Sequence, residues 1–159
     1  PTPTLLTSSA ASDVYKRQSS TYTDLNLSID SPDALYRSPD STINKLTFIS
    51  SNKNLEINLI TKPIDENSDL SNELINDFKE RNFINVITKN EDFQTLDGDK
   101  GVKIFGSFDD QNLNRKKDYS TILFVVNKLS IKLEIIFERG NANLQKIVDR
   151  VINSLKFNK

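Results

Sequence analysis

The sequence contains no cysteine and no histidine, and these absences exclude several classes of function. Without cysteine the chain forms no disulfide, carries no thiolate nucleophile and offers no thiolate ligand to a metal. Histidine is the commonest metal ligand and the side chain whose unperturbed pKa lies near neutrality. Its absence excludes Ser-His-Asp triads and histidine-based zinc sites, so catalysis would depend on carboxylate, Lys or Tyr groups with shifted pKa values. The sequence therefore disfavours an enzyme, and we identify no cofactor or metal site in it.

Methionine is absent too, so we expect that the native N-terminus is missing, processed away or replaced. Residues 1–18 resemble a translated adaptor or vector-derived leader, above all in the segment SSAASDVYKRQ. A cleaved export signal is the competing interpretation, but no apolar stretch of ~7 to 15 residues precedes the small residues Ala10, Ala11 and Ser12. We therefore expect an artefactual or disordered leader at 1–18 and a single α+β domain at 19–159.

The overall composition is that of one soluble domain. Of the 159 residues, 36% are hydrophobic and 27% are charged, with a formal net charge of −1. The near-neutral charge gives no global field to attract nucleic acid or a membrane surface. No apolar run approaches the ~18 residues of a transmembrane helix. Aromatic residues are not interleaved with basic ones, as single-strand nucleic-acid binders require. We expect no nucleic-acid partner and no transmembrane segment in the visible chain.

The segment Tyr119–Arg139 dominates the predicted fold. Its second half alternates apolar residues, from Leu129 to Phe137, with polar ones, which is the period of a half-buried strand. Thr121 to Val126 is apolar on both faces, which indicates an interior strand. Asn127 and Lys128 separate the two as a tight turn. The polar face, with Lys132 and Glu134, is either solvated or covered by a helix.

Two helices and several further strands complete the prediction. Apolar residues at spacings of three and four predict helices over Leu70–Arg81 and from Asn141 or Asn143 to about Phe157. Asp30–Thr42 reads as a loop or edge segment. Further strands are predicted at residues 25–29, 43–50, 55–61, 83–96 and 102–108. The resulting fold class is α+β, an antiparallel sheet flanked by helices.

Two polar segments are candidate sites. Asp97-Gly98-Asp99-Lys100-Gly101 has too few acids for a calcium loop and reads as a turn. Asp109–Asp118 reads as a polar loop, with Arg115, Lys116 and Lys117 at its tip. These three cations are the candidate partner-binding residues, for an acidic partner, a phosphate or an anionic surface. The alternative is a solvated loop whose charge the nearby acids balance.

Carboxylate pairs for acid–base catalysis can be drawn among several predicted loop residues, where solvent would hold their pKa values near the ordinary range. No nucleotide-binding, nucleophile or metal-ligand motif accompanies them. The acids concerned are Asp65, Glu66, Glu91, Asp92, Asp109 and Asp110.

The order of elements resembles the Mog1/PsbP-like α/β/α sandwich group, which includes PsbP-type and DcrB-type proteins. The pieces that carry the resemblance are the turn at Asp97–Gly101 leading into a strand and the ending Ile152-Asn153-Ser154-Leu155-Lys156-Phe157. Tryptophan, common near the first strand of such proteins, is absent, and Ser31-Pro32-Asp33 stands there instead. The resemblance covers roughly residues 22–159.

The resemblance implies a non-enzymatic role. PsbP-type members are extrinsic subunits on photosynthetic membranes, DcrB-type members are bacterial envelope proteins, and Mog1 proteins bind a small GTPase. We therefore expect a binding or accessory module, periplasmic or exported in a bacterium, with an unknown protein partner or small ligand. The alternatives are an intracellular GTPase-binding module and a carboxylate-based enzyme, which would need a deep pocket with at least two buried acids.

Overall fold

A computed structural model describes residues 17–22, 27–32, 35–42, 44–65, 69–126 and 128–157. Its elements follow in the order β1 (Arg17–Tyr22), β2 (Leu27–Pro32), β3 (Leu35–Arg37), β4 (Lys45–Ser50), β5 (Leu55–Pro63), α1 (Leu70–Glu80), β6 (Phe83–Gln94), β7 (Lys100–Asp110), β8 (Arg115–Val126), β9 (Leu129–Glu138), α2 (Ala142–Ser154) and β10 (Lys156–Phe157). Residues 1–16 lie outside the described part, while Arg17 and Gln18 belong to β1. Leu25 and Asn127 also lie outside the described part.

The main sheet has seven strands in the order β3-β4-β5-β9-β8-β7-β6, and every neighbouring pair is antiparallel. A second sheet joins β1, β2 and β10. The predicted hairpins at β4–β5 and β8–β9 are confirmed, and β8 is an interior strand. The segment predicted as loop or edge contains β3, which is an edge strand of the main sheet.

One face of the main sheet packs against α2. Alternate residues of β9 point to this face, and they form one apolar cluster with the helix stripe that the sequence spacing predicts. Burial of each such side chain contributes about 1.5–3 kcal/mol. The prediction that this face of β9 is core is confirmed. The cluster includes Ile131, Leu133, Ile135, Phe137, Leu144, Val148, Val151 and Ile152.

The opposite face packs against α1. Leu74 and Phe78 of the helix lie against Phe108, Tyr119 and Ile136 of the sheet in a second apolar cluster. The Phe78 ring lies 4.9 Å from the Tyr119 ring in an edge-on arrangement. The polar face of β9 is therefore covered by a helix over part of its length, and Ile136, which breaks the alternation, is a core residue on that side.

The predicted polar loop at Asp109–Asp118 is wrong in its extent. β7 continues to Asp110 and β8 begins at Arg115, which leaves a turn of only residues 111–114. The Asp110 carboxylate accepts the backbone N–H groups of Asn112 (2.9 Å) and Leu113 (3.3 Å), which stabilises this tight turn. Charged residues on either side of the turn face each other across β7 and β8. Most of the segment predicted as a loop is therefore strand.

The last helix is also shorter than predicted. α2 ends at Ser154, and Leu155 has an extended backbone with φ −61° and ψ 126°. Lys156 and Phe157 then pair with β2. The Phe157 ring packs edge-on against Phe124 at 4.9 Å, and it belongs to the side chains that pack around the α2 cluster. A strand end, rather than a final helical turn, brings this aromatic ring to the core.

Candidate functional site

The three cations predicted as a loop tip are the first residues of β8. The Lys117 ammonium is buried and donates to the backbone carbonyl of Lys53 at 2.8 Å. Arg115 donates through Nη1 to the carbonyl of Asn52, also at 2.8 Å. Both side chains therefore hold the β4–β5 turn against the start of β8. Arg115 and Lys116 are both exposed, and of these two Arg115 is the one held to the β4–β5 turn.

A groove lies where the β4–β5 turn, the start of β8 and the end of β9 meet. Its volume is about 420 Å³, and all six lining residues are polar. Two smaller hollows, of about 370 Å³ and 290 Å³, adjoin the groove. The first shares Glu138 and Arg139 with it, and the second shares Arg115 and Lys116. We call this surface the turn-end groove; its lining residues are Asn52, Asn54, Arg115, Lys116, Glu138 and Arg139.

The charge of Arg139 is largely neutralised within the protein. Its guanidinium lies 3.2 Å from Asp109 and 3.6 Å from Asp118, and it donates to the Phe108 carbonyl at 2.9 Å. A hydrogen bond from Asn85, followed by the charge of Arg139, lowers the pKa of Asp109. Arg139 therefore lines the groove with its charge already paired to Asp109 and Asp118.

The cations that remain for a ligand are at the start of β8. Burial, reinforced by the nearby charge of Arg115, lowers the pKa of Lys117. Arg115 has further guanidinium N–H groups beyond the one that reaches Asn52, since the group carries five. Lys116 lies opposite Asp109 in the strand register. The groove therefore carries both cationic and acidic side chains, and its net charge is not strongly positive.

A buried charge network under the end of α1 was not foreseen from the sequence. Glu134 of β9 is fully buried, and its Oε1 accepts from Arg81 at 2.9 Å and from Asn58 at 2.9 Å. Lys132 lies 3.7 Å from Oε2. Arg81 also pairs with Asp77 at 3.1 Å and stacks over the Phe83 ring at 4.8 Å. These contacts tie the C-terminal end of α1 to the centre of the sheet.

The contacts in this network stabilise the charged forms of Glu134 and Arg81. Burial alone would raise the pKa of Glu134, but Arg81 and Lys132 outweigh it and hold the pKa below its ordinary value. Burial alone would lower the pKa of Arg81, and the carboxylates of Glu134 and Asp77 outweigh it in the opposite sense. Both groups stay ionised at neutral pH, so neither suits general acid–base catalysis.

A second, smaller cleft lies between α1 and the sheet, with a volume of about 190 Å³. An ion pair of 3.4 Å between Lys62 and Glu73 stands at this cleft, and both side chains are largely exposed. Such a pair adds little to stability. The residues that line this cleft are Lys45, Ile60, Lys62, Leu70, Glu73, Leu74, Asp77, Leu123, Ser130 and Lys132.

Of the described carboxylates considered for catalysis, Asp109 and Asp110 line one hollow of about 290 Å³, and of these two only Asp110 is buried. Asp110 and Glu134 are both buried, but Asp110 caps the β7–β8 turn whereas Glu134 pairs with Arg81 under α1. Glu66 lies outside the described residues. No cluster of three or more acids that could hold a metal ion occurs in this part of the chain.

The turn predicted at Asp97–Gly101 lies at residues 95–99, between β6 and β7, and Lys100 and Gly101 are the first residues of β7. Gly98 has φ +92°, a conformation that glycine adopts without strain. The backbone N–H of Gly98 donates to the Thr95 carbonyl at 3.0 Å, and that of Thr95 donates to the Asp99 carbonyl at 2.9 Å. The turn interpretation is confirmed.

The chain matches no family model and no curated protein. Among solved structures it is similar to the cyanobacterial PsbP protein CyanoP from Synechocystis, with a TM-score of 0.55, 12% identity, and 96% and 98% of the two chains covered. It is also similar to the Ran-binding protein Mog1p from Saccharomyces cerevisiae, with a TM-score of 0.58, 10% identity, and 90% and 96% coverage. The fold is Mog1/PsbP-like. The α/β/α sandwich and the resemblance that the sequence suggests are thereby confirmed.

In the part of the chain that the structure describes, neither helix has the length and hydropathy that a membrane-crossing helix requires.

Proposed function

We propose that the chain is a non-enzymatic accessory module that binds a protein partner through the turn-end groove. The observation that carries this proposal is the exposed Lys116 beside Arg115, at a groove whose six lining residues are all polar. Pockets for small organic ligands are lined predominantly by hydrophobic and aromatic side chains. An all-polar lining is better suited to the charged rim of a protein interface.

The mixed charge of the groove indicates the kind of partner. A polyanion would require a surface of one sign, whereas here Glu138 and Asp109 lie beside the cations. Arg115 can form paired N–H···O bonds with a partner carboxylate while Nη1 still reaches Asn52, since its guanidinium has further donors. We therefore propose a polypeptide with an acidic residue placed to meet Arg115 and Lys116.

The compartment we propose is the bacterial envelope, periplasmic or exported. The support is the resemblance to PsbP-type and DcrB-type proteins, together with the fold similarity to CyanoP. An intracellular module that binds a small GTPase is the second proposal, and the fold similarity to a Ran-binding protein supports it. The two proposals differ in their partner and their compartment, so one experiment can separate them.

The test uses immobilised full-length chain and two probes, which are a periplasmic extract of the source cells and a purified Ran-type GTPase loaded with GDP or GTP. The variant Lys116→Glu reverses a charge in the groove, and Lys146→Glu makes the same charge change on the exposed side of α2. We expect a periplasmic protein that binds the unchanged chain and the Lys146 variant and is lost with the Lys116 variant. Equal retention by all three proteins would contradict the role of the groove.

Binding of the GTPase in one nucleotide state, with the same sensitivity to Lys116→Glu, would replace the envelope proposal by the intracellular one. Urea unfolding of both variants checks that the charge changes leave the fold intact. Each lies on an exposed side chain, so we expect each to change the unfolding free energy by less than about 0.5 kcal/mol.

A further inference from the structure

The outer edge of β6 is the longest open strand edge in the described part of the protein. β6 is the last strand of the main sheet and pairs only with β7, whereas β3 at the other edge has three residues. The register shifts between Ile84 and Ile87 and is then regular from Ile87 to Gln94. A regular open edge of this length is a template for pairing with another strand.

The exposed side chains of this strand combine charges, which protect many strand edges, with an apolar residue. Ile87 is 59% exposed although it is a large aliphatic residue. Phe93 is partly buried against the α2-side cluster, with its ring 6.0 Å from that of Phe124. Lys89 and Glu91 lie between these two apolar residues and are both exposed. On this face of β6 the side chains at positions 87, 89, 91 and 93 are apolar, cationic, anionic and apolar, in that order.

That sequence is complementary to itself when reversed about Asn90. We propose that β6 pairs antiparallel with β6 of a second copy of this chain, with the twofold axis at Asn90 and perpendicular to the sheet. Residues equally distant from Asn90 then face each other across the axis, on the same face of the joined sheet. The pairs are Ile87 with Phe93, Thr88 with Asp92, Lys89 with Glu91, and Asn90 with Asn90.

Two of the pairs in this register are of favourable types. The apolar Ile87 meets an aromatic ring, and each copy contributes one Lys89–Glu91 ion pair across the interface. Slipping the register by two residues, which keeps the same faces together, moves the axis by one residue and puts Lys89 opposite Lys89 or Glu91 opposite Glu91. Like charges directly opposite each other are destabilising. The charges therefore select one register and disfavour its neighbours.

The partner is a second copy rather than an unrelated strand because the complementarity is internal to one segment. The axis at Asn90 also lies close to the middle of the regular stretch, clear of the register shift at Ile84 to Ile87. The main sheet would continue through the interface into the second copy. The turn-end groove includes no residue of the regular stretch of β6, so the dimer leaves it accessible.

The first test measures the mass of the full chain by sedimentation equilibrium from about 1 μM to 1 mM, the range in which a weak dimer forms by mass action. We expect a monomer–dimer equilibrium. Lys89→Glu and Glu91→Lys each turn both ion pairs into like-charge pairs, and we expect each to raise the dimer dissociation constant at least about tenfold.

An equimolar mixture of the two variants is the decisive sample. In a heterodimer of Lys89→Glu with Glu91→Lys both facing pairs have opposite charges again, so we expect the mixture to associate where each variant alone does not. Lys146→Glu is the matched control for charge and is expected to dimerise normally. Because Glu91 also pairs with Lys103 at 3.4 Å, urea unfolding of each variant checks the monomer fold.

Cross-linking tests the register. The chain has no cysteine, so Asn90→Cys introduces one thiol, which sits on the axis with a Cα–Cα distance of about 4.5–5.5 Å, within disulfide range. Asp92→Cys is the control, because four residues of offset separate its two copies by about 14 Å. We expect oxidation to dimerise the first variant and not the second. A monomer at every concentration, a mixture that stays monomeric, or equal cross-linking of both thiols would each overturn the proposal.

Discussion

The ion pair between Arg81 and Glu134 gives the sharpest test of how α1 is held on the sheet. The variants are Arg81→Met, Glu134→Gln and the double variant, with Lys79→Met on the same helix as the control. Removing one partner of a buried pair leaves the other charge uncompensated, which costs about 3–5 kcal/mol. Arg81 is 21% exposed and Lys132 lies 3.7 Å from the remaining oxygen of Glu134, so the loss on Arg81→Met is reduced.

We therefore expect Arg81→Met to lower the unfolding free energy by about 2–3 kcal/mol. The double variant should cost less than the sum of the single variants, with a coupling of about 1–3 kcal/mol, because it leaves neither Arg81 nor Glu134 buried without the other. Lys79 is exposed, and its removal should cost less than about 0.5 kcal/mol. The measurement is urea unfolding at pH 7. A cost below about 1 kcal/mol together with simple additivity would refute the reasoning.

The low pKa of Glu134 predicts that the unfolding free energy depends on pH. The pKa of Glu134 is lower in the folded than in the unfolded chain, because Arg81 and Lys132 favour its charged form. The unfolded chain then binds the proton more readily, so this contribution to stability is present above the unfolded pKa of about 4.3 and is lost as pH falls through the folded value. Glu134→Gln should flatten the fall in unfolding free energy below about pH 5. An unchanged slope would contradict the pKa shift.

Three further substitutions test the packing, the first two by urea unfolding and the third by hydrogen exchange. Phe78→Ala removes a fully buried ring that contacts three other aromatic residues and should cost about 3–5 kcal/mol; a cost below about 1 kcal/mol would contradict its place in the core. Thr121→Val replaces a buried hydroxyl that has no hydrogen-bond partner in the described structure, and should raise stability by about 1 kcal/mol; a loss would show that the hydroxyl is satisfied. Gly106→Ala places a Cβ against the Ile87 carbonyl and should destabilise the β6–β7 pairing, which hydrogen exchange of β6 amides would report; unchanged exchange would argue against this close approach.

Periodicity predicts much of this fold because it depends on neighbours in the chain. The alternation through Leu129–Phe137 and the helical spacing in Leu70–Arg81 each define a face without knowledge of what covers it. The ends of elements are less predictable. Phe157 leaves the helix pattern because β2 and the Phe124 ring offer it an extended position, and nothing in its local sequence shows this.

The charged sites could not be predicted for the same reason. Glu134 occupies a polar position in an alternating strand, on a face that the sequence leaves as either solvated or covered by a helix, and its partner Arg81 is distant in sequence. Arg115 and Lys117 read as loop residues, but the carbonyls that they bind belong to Asn52 and Lys53. A charge pattern shows which residues carry charge, while burial and partners depend on tertiary contacts. Arg115 and Lys116 keep the exposed positions that the sequence suggested, whereas Lys117 is buried.

The pairing of β10 with β2 has a consequence for the order of events during synthesis. Lys156 pairs with Ser28, and Phe157 with Leu27, so the third strand of the small sheet comes from the far end of the chain. A ribosome releases the segment containing β2 long before β10 has been translated, and strand pairing over such a separation is intrinsically slow. The small sheet can therefore be completed only after residue 157 has been translated.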